Sequence, residues 1–155
     1  MGSLIFCKWS YELPIPKSKA YPTRLTTIGD HVRTRRLDLS LLQREVADQI
    51  GVTEASVLHW ETNVHAPTIP WVIAAIIKFL GYSPLPPPAT RGEHIHQIRL
   101  IRGLNFSEAA AEIGISSATL LTWESDRGRP DDPRCRGKLQ SWLDRNATLL
   151  NLAGA

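Results

Sequence analysis

The 155-residue sequence predicts an all-α protein built from two tandem helical units joined by a proline-rich linker. Three observations carry that expectation. Sliding the chain by 63 residues aligns 27–83 with 90–146 without a gap, and the identities fall on caps, core positions and a turn. They include Thr27/Thr90, Gly29/Gly92, Arg36/Arg99, Leu37/Leu100, Leu41/Leu104, Glu45/Glu108, Ala47/Ala110, Ile50/Ile113, Gly51/Gly114, Trp60/Trp123, Glu61/Glu124, Pro67/Pro130 and Pro70/Pro133. Between the copies lies Ser83-Pro84-Leu85-Pro86-Pro87-Pro88, a run that reads as a short, stiff connector. Apolar residues recur at helical spacing, and no period-2 alternation runs beyond a few residues.

Each element of the first unit has local signals. Thr27 with Asp30 three residues on forms a capping box, and Thr90 with Glu93 repeats it. The helix that follows carries Ile28, Val32 and Leu39, with Leu37 beside them. Residues 43–50 place Val46, Ala47 and Ile50 on one face, and Gly51 stops that helix because glycine tolerates a left-handed backbone. Thr53 caps a third helix over 54–61, with Val57 and Trp60 inward. Pro70 opens a fourth helix that Gly81 ends, the favoured order of proline and glycine. The predicted organisation is an arm at 1–23, a unit at 24–83, a linker at 84–89, a second unit at 90–146 and a tail at 147–155.

Composition narrows the function classes. Apolar residues make up 43 % of the chain, enough for a packed core. The longest apolar run, 71–77, is far short of the roughly 20 residues of a membrane helix, so no membrane partner is expected. The start of the chain lacks the pattern of a signal peptide. Cys7 and Cys135 form neither a disulfide framework nor a Cys-x-x-Cys metal pair, which fits a cytoplasmic setting. Net charge is +3, and residues 24–83 are neutral overall, so charge alone does not argue for nucleic acid. His31, His59, His65, His94 and His96 lack metal spacing, and no acid pair, nucleophile setting or glycine-rich phosphate loop stands out. No enzyme activity, cofactor or metal is expected.

Two short helices around a tight turn at Gly51 make a helix-turn-helix. The segment Gln43-Arg44-Glu45-Val46-Ala47-Asp48-Gln49-Ile50-Gly51-Val52-Thr53, followed by Val57, Trp60 and Glu61, resembles the phage-repressor and Cro-type (XRE family) transcriptional regulators. The resemblance covers 27–83, and extends more loosely over 90–146 through Glu108, Ala110, Gly114, Ser116, Leu120, Trp123 and Glu124. It implies a duplicated lambda-repressor-like fold and binding of a specific site on double-stranded DNA. A recognition helix presents its N-terminal outward side chains to base edges. Those are Glu54, Ala55, Ser56 and His59 in the first unit, and Ser117, Ala118, Thr119 and Thr122 in the second. Glu can accept from cytosine N4, Ala can meet a thymine methyl, and Ser, Thr or His can donate or accept.

Gln43 resembles the family residue that reaches a phosphate. Arg44, Arg33, Arg35, Thr62 and Asn63 are candidate DNA-backbone contacts, with Arg127 and Arg129 for the second unit. Arg36 with Glu61, and Arg99 with Glu124, fit structural ion pairs, and the spacing of Trp60 and Trp123 assigns them to the core. The second unit departs from the pattern at Phe106 and Ser107, which replace Gln43 and Arg44 and remove the expected phosphate anchor. A homodimer or a protein partner is compatible with the same scaffold. The alternative expectation is therefore a protein-interaction or antitoxin-like module. The weak charge, the acidic Glu54 at the start of the recognition helix and the altered second unit favour that alternative.

Overall fold

The structure, a computed structural model, describes residues 21–128 and 132–150. Residues 1–20 of the arm expected at 1–23, and the candidate contact Arg129, lie outside the described residues. Among those described, the fold is all-α. Its helices are α1 (Ile28–Asp38), α2 (Gln43–Ile50), α3 (Glu54–Glu61), α4 (Pro70–Leu80), α5 (Arg91–Ile101), α6 (Phe106–Ile113), α7 (Ser117–Glu124) and α8 (Pro133–Leu150). Helices α1 to α3 recur as α5 to α7 with both ends displaced by the same 63 residues, and α4 and α8 start at that offset.

The local chemistry explains the repeated boundaries. Thr27 and Thr90 each accept from the backbone N–H three residues on, and Asp30 and Glu93 reach back to the cap. Gly51 and Gly114 close α2 and α6 in the left-handed region, at φ 85° and 78°. Thr53 and Ser116 cap α3 and α7 through their hydroxyls. Leu39, expected on the inner stripe of the first helix, is instead its C-cap and is exposed. Helix α8 continues through 147–150, so the tail expected there is helical as far as it is described.

Two cores are built largely from equivalent positions, with Ile98 of the second standing where the first unit has Arg35. Val32, Val46, Ala47, Ile50, Val57, Trp60, Val72, Ile76 and Leu80 fill the first. Ile95, Ile98, Ala109, Ala110, Ile113, Leu120, Trp123, Leu139 and Trp142 fill the second. Volume is exchanged between sites: Ala109 stands where the first unit has Val46, while Trp142 stands where it has Phe79. Gly29 and Gly92 permit α1 and α5 to cross the ends of α3 and α7. A methyl group on Gly29 would lie 1.8 Å from the carbonyl oxygen of Trp60, and one on Gly92 2.6 Å from that of Glu124.

A third apolar cluster lies between the units. Ile73 and Ile77 of α4 pack on Leu100 of α5, with Leu85 and Ile101 against them. The proline segment is tied to the same place, because the buried Gln97 donates from Nε2 to the carbonyl of Pro86 at 2.9 Å. The connector therefore lies against α5 as a strap.

Candidate nucleic-acid interface

Helix α3 has two sharply different sides. Val57, Trp60 and Glu61 are buried, whereas Glu54, Ala55, Leu58, His59 and Thr62 are exposed. The inward set anchors α3 against α1 and α2 and leaves the outward set without an internal role in packing. His59 touches the ring of His65 edge-on, with centroids 5.5 Å apart. Ser56 differs from its neighbours. It is half-buried, its backbone N–H donates to Thr53 Oγ1 at 3.2 Å, and its hydroxyl shares a bond with the same oxygen at 2.9 Å. It belongs to the helix cap as much as to the outer face.

The same division appears on α7. Leu120 and Trp123 are buried, while Ser117, Ala118, Leu121 and Thr122 are exposed. Here the hydroxyls are used internally. Thr119 pairs with Ser116 at 2.8 Å, Thr122 donates to the carbonyl of Ala118 at 2.9 Å, and Ser125 to that of Leu121 at 2.8 Å. What α7 presents is consequently less polar than its composition implies.

Beneath both outer faces sits a buried carboxylate held by arginine. Arg36 donates to the two oxygens of Glu61 at 2.6 and 2.7 Å and to the carbonyl of Leu41 at 3.1 Å. Arg99 repeats each bond, to Glu124 at 2.9 and 2.6 Å and to Leu104 at 3.2 Å. This bidentate geometry fixes α1 to α3 and α5 to α7. Burial pushes the Glu124 carboxyl up, but the bonds from His96 and Arg99 outweigh it and hold the group below its usual range.

The third partner of each carboxylate differs, and Gln43 is the reason. Its Nε2 donates to Glu61 Oε2 at 2.9 Å. An amide has two N–H donors, so this bond orients the side chain and leaves one donor for an outside acceptor. In the second unit Phe106 takes that position. Its ring lies under the Arg99 guanidinium, 4.1 Å from the centroid, and His96 bonds Glu124 instead. Phe106 thus replaces a hydrogen bond by a cation–π contact and is half-buried.

Three expected backbone contacts converge. Arg33, Thr62 and Asn63 line one groove of about 590 Å³ at the end of α3, together with Arg24, which sequence reasoning passed over. Asn63 also has an internal task, accepting from Thr27 Oγ1 at 2.7 Å, and Thr62 Oγ1 donates to the carbonyl of Leu58 at 2.7 Å. Arg44 is exposed on the first turn of α2. Arg35 lies elsewhere, close enough to Tyr82 for its charge to oppose the burial that keeps that phenol above its ordinary value. Arg127 is exposed after α7.

No cluster of three or more His, Cys, Asp or Glu suited to a metal occurs among the described residues. Among those residues, no helix is long and apolar enough to cross a membrane. No family model, curated protein or solved structure matches the chain.

Proposed function

We propose that the chain binds a specific site on double-stranded DNA through α3, as a cytoplasmic regulator of transcription of the phage-repressor type. One observation carries the reading. Helix α3 is locked from within by Trp60 and the Arg36–Glu61 pair, and it turns Glu54, Ala55 and His59 outward beside a groove lined by Arg24, Arg33, Thr62 and Asn63. Rigid elements with polar outer residues at helical spacing suit base reading, and flanking cations suit phosphate contact. Gln43 and Arg44 at the start of α2 supply further donors on the backbone side.

Paired variants separate these roles. Arg44→Ala is expected to weaken binding several-fold on any duplex and to make it less salt-dependent. Glu54→Ala and His59→Ala are expected to change which bases are preferred, by about 1–3 kcal/mol at the affected positions. Competition between duplexes of different sequence measures this. Uniform losses across unrelated duplexes for all three variants contradict base reading by α3.

A second reading, binding of a protein partner, has its own support. Leu58 and Leu121 stand 44 % and 54 % exposed at equivalent positions of α3 and α7. Two apolar residues in the middle of the outer faces fit a protein surface as well as they fit thymine methyl groups. A variant such as Leu58→Lys that abolishes a protein complex and leaves DNA affinity intact would favour that reading.

A further inference from the structure

Helix α8 carries a row of cations on one side. Arg134, Lys138, Ser141 and Arg145 follow the 3.6-residue spacing and are all exposed. They line a groove of about 490 Å³ against the end of α6 at Gly114. Lys138 Nζ donates to the carbonyl of Gly114 at 3.1 Å, placing the row beside the turn that leads into α7. Glu112, a carboxylate on the wall of that groove, is already engaged. Arg102 bonds both of its oxygens and Trp142 Nε1 donates to it at 3.0 Å. Among the described residues, Arg134, Lys138 and Arg145 enter no close ion pair, although the charge of Arg145 reaches Glu112 and helps to hold that carboxyl below its usual range.

The repeat shows how unusual this row is. The equivalent positions of the first unit are Trp71, Ala75 and Lys78 of α4 and Tyr82 just beyond its end. In the first unit Trp71 lies over Gly51, and in the second Lys138 takes its place beside Gly114. Meanwhile, residues 105–124 contain no Lys or Arg and three Glu, whereas Arg44 stands in the matching stretch of the first unit. The segment spanning α6 and α7 carries no cation, and cations stand on the neighbouring helix.

We infer that the α8 row is a docking surface for the sugar-phosphate backbone of duplex DNA, and supplies the phosphate contacts that α6 of the second unit lacks. The inference rests on the reading of the chain as a DNA-binding protein. Three exposed cations along about 16 Å of helix complement a polyanion with one charge per 1.7 Å of duplex axis.

The test is a salt titration of duplex affinity for the full chain and for R134Q/K138Q/R145Q, with K78Q/R91Q as a charge-removal control. All five positions are exposed, and helix content by circular dichroism checks that each variant is folded. Each lost phosphate contact should reduce the slope of log affinity against log salt by about 0.9. The triple variant should therefore show a slope shallower by between about 2 and 3, and affinity at least about tenfold weaker near 0.1 M salt. The control should keep the parent slope. A triple variant with the parent slope and affinity overturns the α8 assignment, while the α3 variants still report separately on base reading. A parent chain that binds no duplex overturns both.

Discussion

Gly29 shows how one residue sets the position of α3. A glycine inside a helix is unfavourable by up to about 1 kcal/mol relative to alanine, so a change to alanine should stabilise α1 taken alone. In the folded chain the added methyl would collide with the backbone of Trp60, which cannot swing aside. Gly29→Ala is accordingly expected to destabilise by roughly 3 kcal/mol, measured by urea unfolding, reversing the sign that propensity predicts. Asp30 is a second such residue. Burial would raise its carboxyl, but bonds from Thr27, Thr26 and Asn63 outweigh this and hold it at about 2. Its folded value lies below the ordinary carboxylate value. The stability it contributes is present in full above about pH 4 and is lost as the pH falls towards 2. Asp30→Asn should lower stability at neutral pH and flatten the acid limb in that window, followed by thermal melts across pH. The capping role of Asp30 is readable from its distance to Thr27. The bond from Asn63 is not, since it joins residues 33 apart that meet only through the α1–α3 packing.

Helices α3 and α7 share their length, a hydroxyl cap and the Trp-Glu ending, yet their outer faces differ in character. Their helical ends are legible because Thr53, Ser116, Gly51 and Gly114 act locally, on groups within one turn. The fate of Gln43 and Phe106 is not local. Both sit at the first position of their helices, and what each touches is decided by an arginine from the preceding helix and a carboxylate at the far end of the next. The contrast of α4 with α8 has the same origin. Pro70 and Pro133 open both helices, but α4 must satisfy two neighbours and is apolar on two sides. Helix α8 presents Arg136 and Gln140 where α4 presents Ile73 and Ile77. The sequence shows this difference only to a reader who already knows which face of α4 meets α5.

Ile73, Ile77 and Leu100 make the two units one packed body. Each buries most of a large aliphatic side chain, worth roughly 1.5–3 kcal/mol apiece, and Gly103 sits close enough to α4 that a methyl there would be 3.1 Å from Ala74 Cβ. Replacing the α4 pair by the α8 residues, Ile73→Arg with Ile77→Gln, is expected to uncouple the units. One cooperative urea transition should become two, with the first several kcal/mol weaker than in the parent. A fused pair should also hold its outer helices at a set separation, so a DNA site read by both would tolerate no change in spacing between its halves. The most direct measurement is selection of bound sequences from a random duplex pool at about physiological salt. Binding by α3 predicts an enriched motif whose preferred bases shift in the Glu54→Ala and His59→Ala variants. If no motif is enriched, and what binding there is disappears as salt rises, base reading by α3 is contradicted.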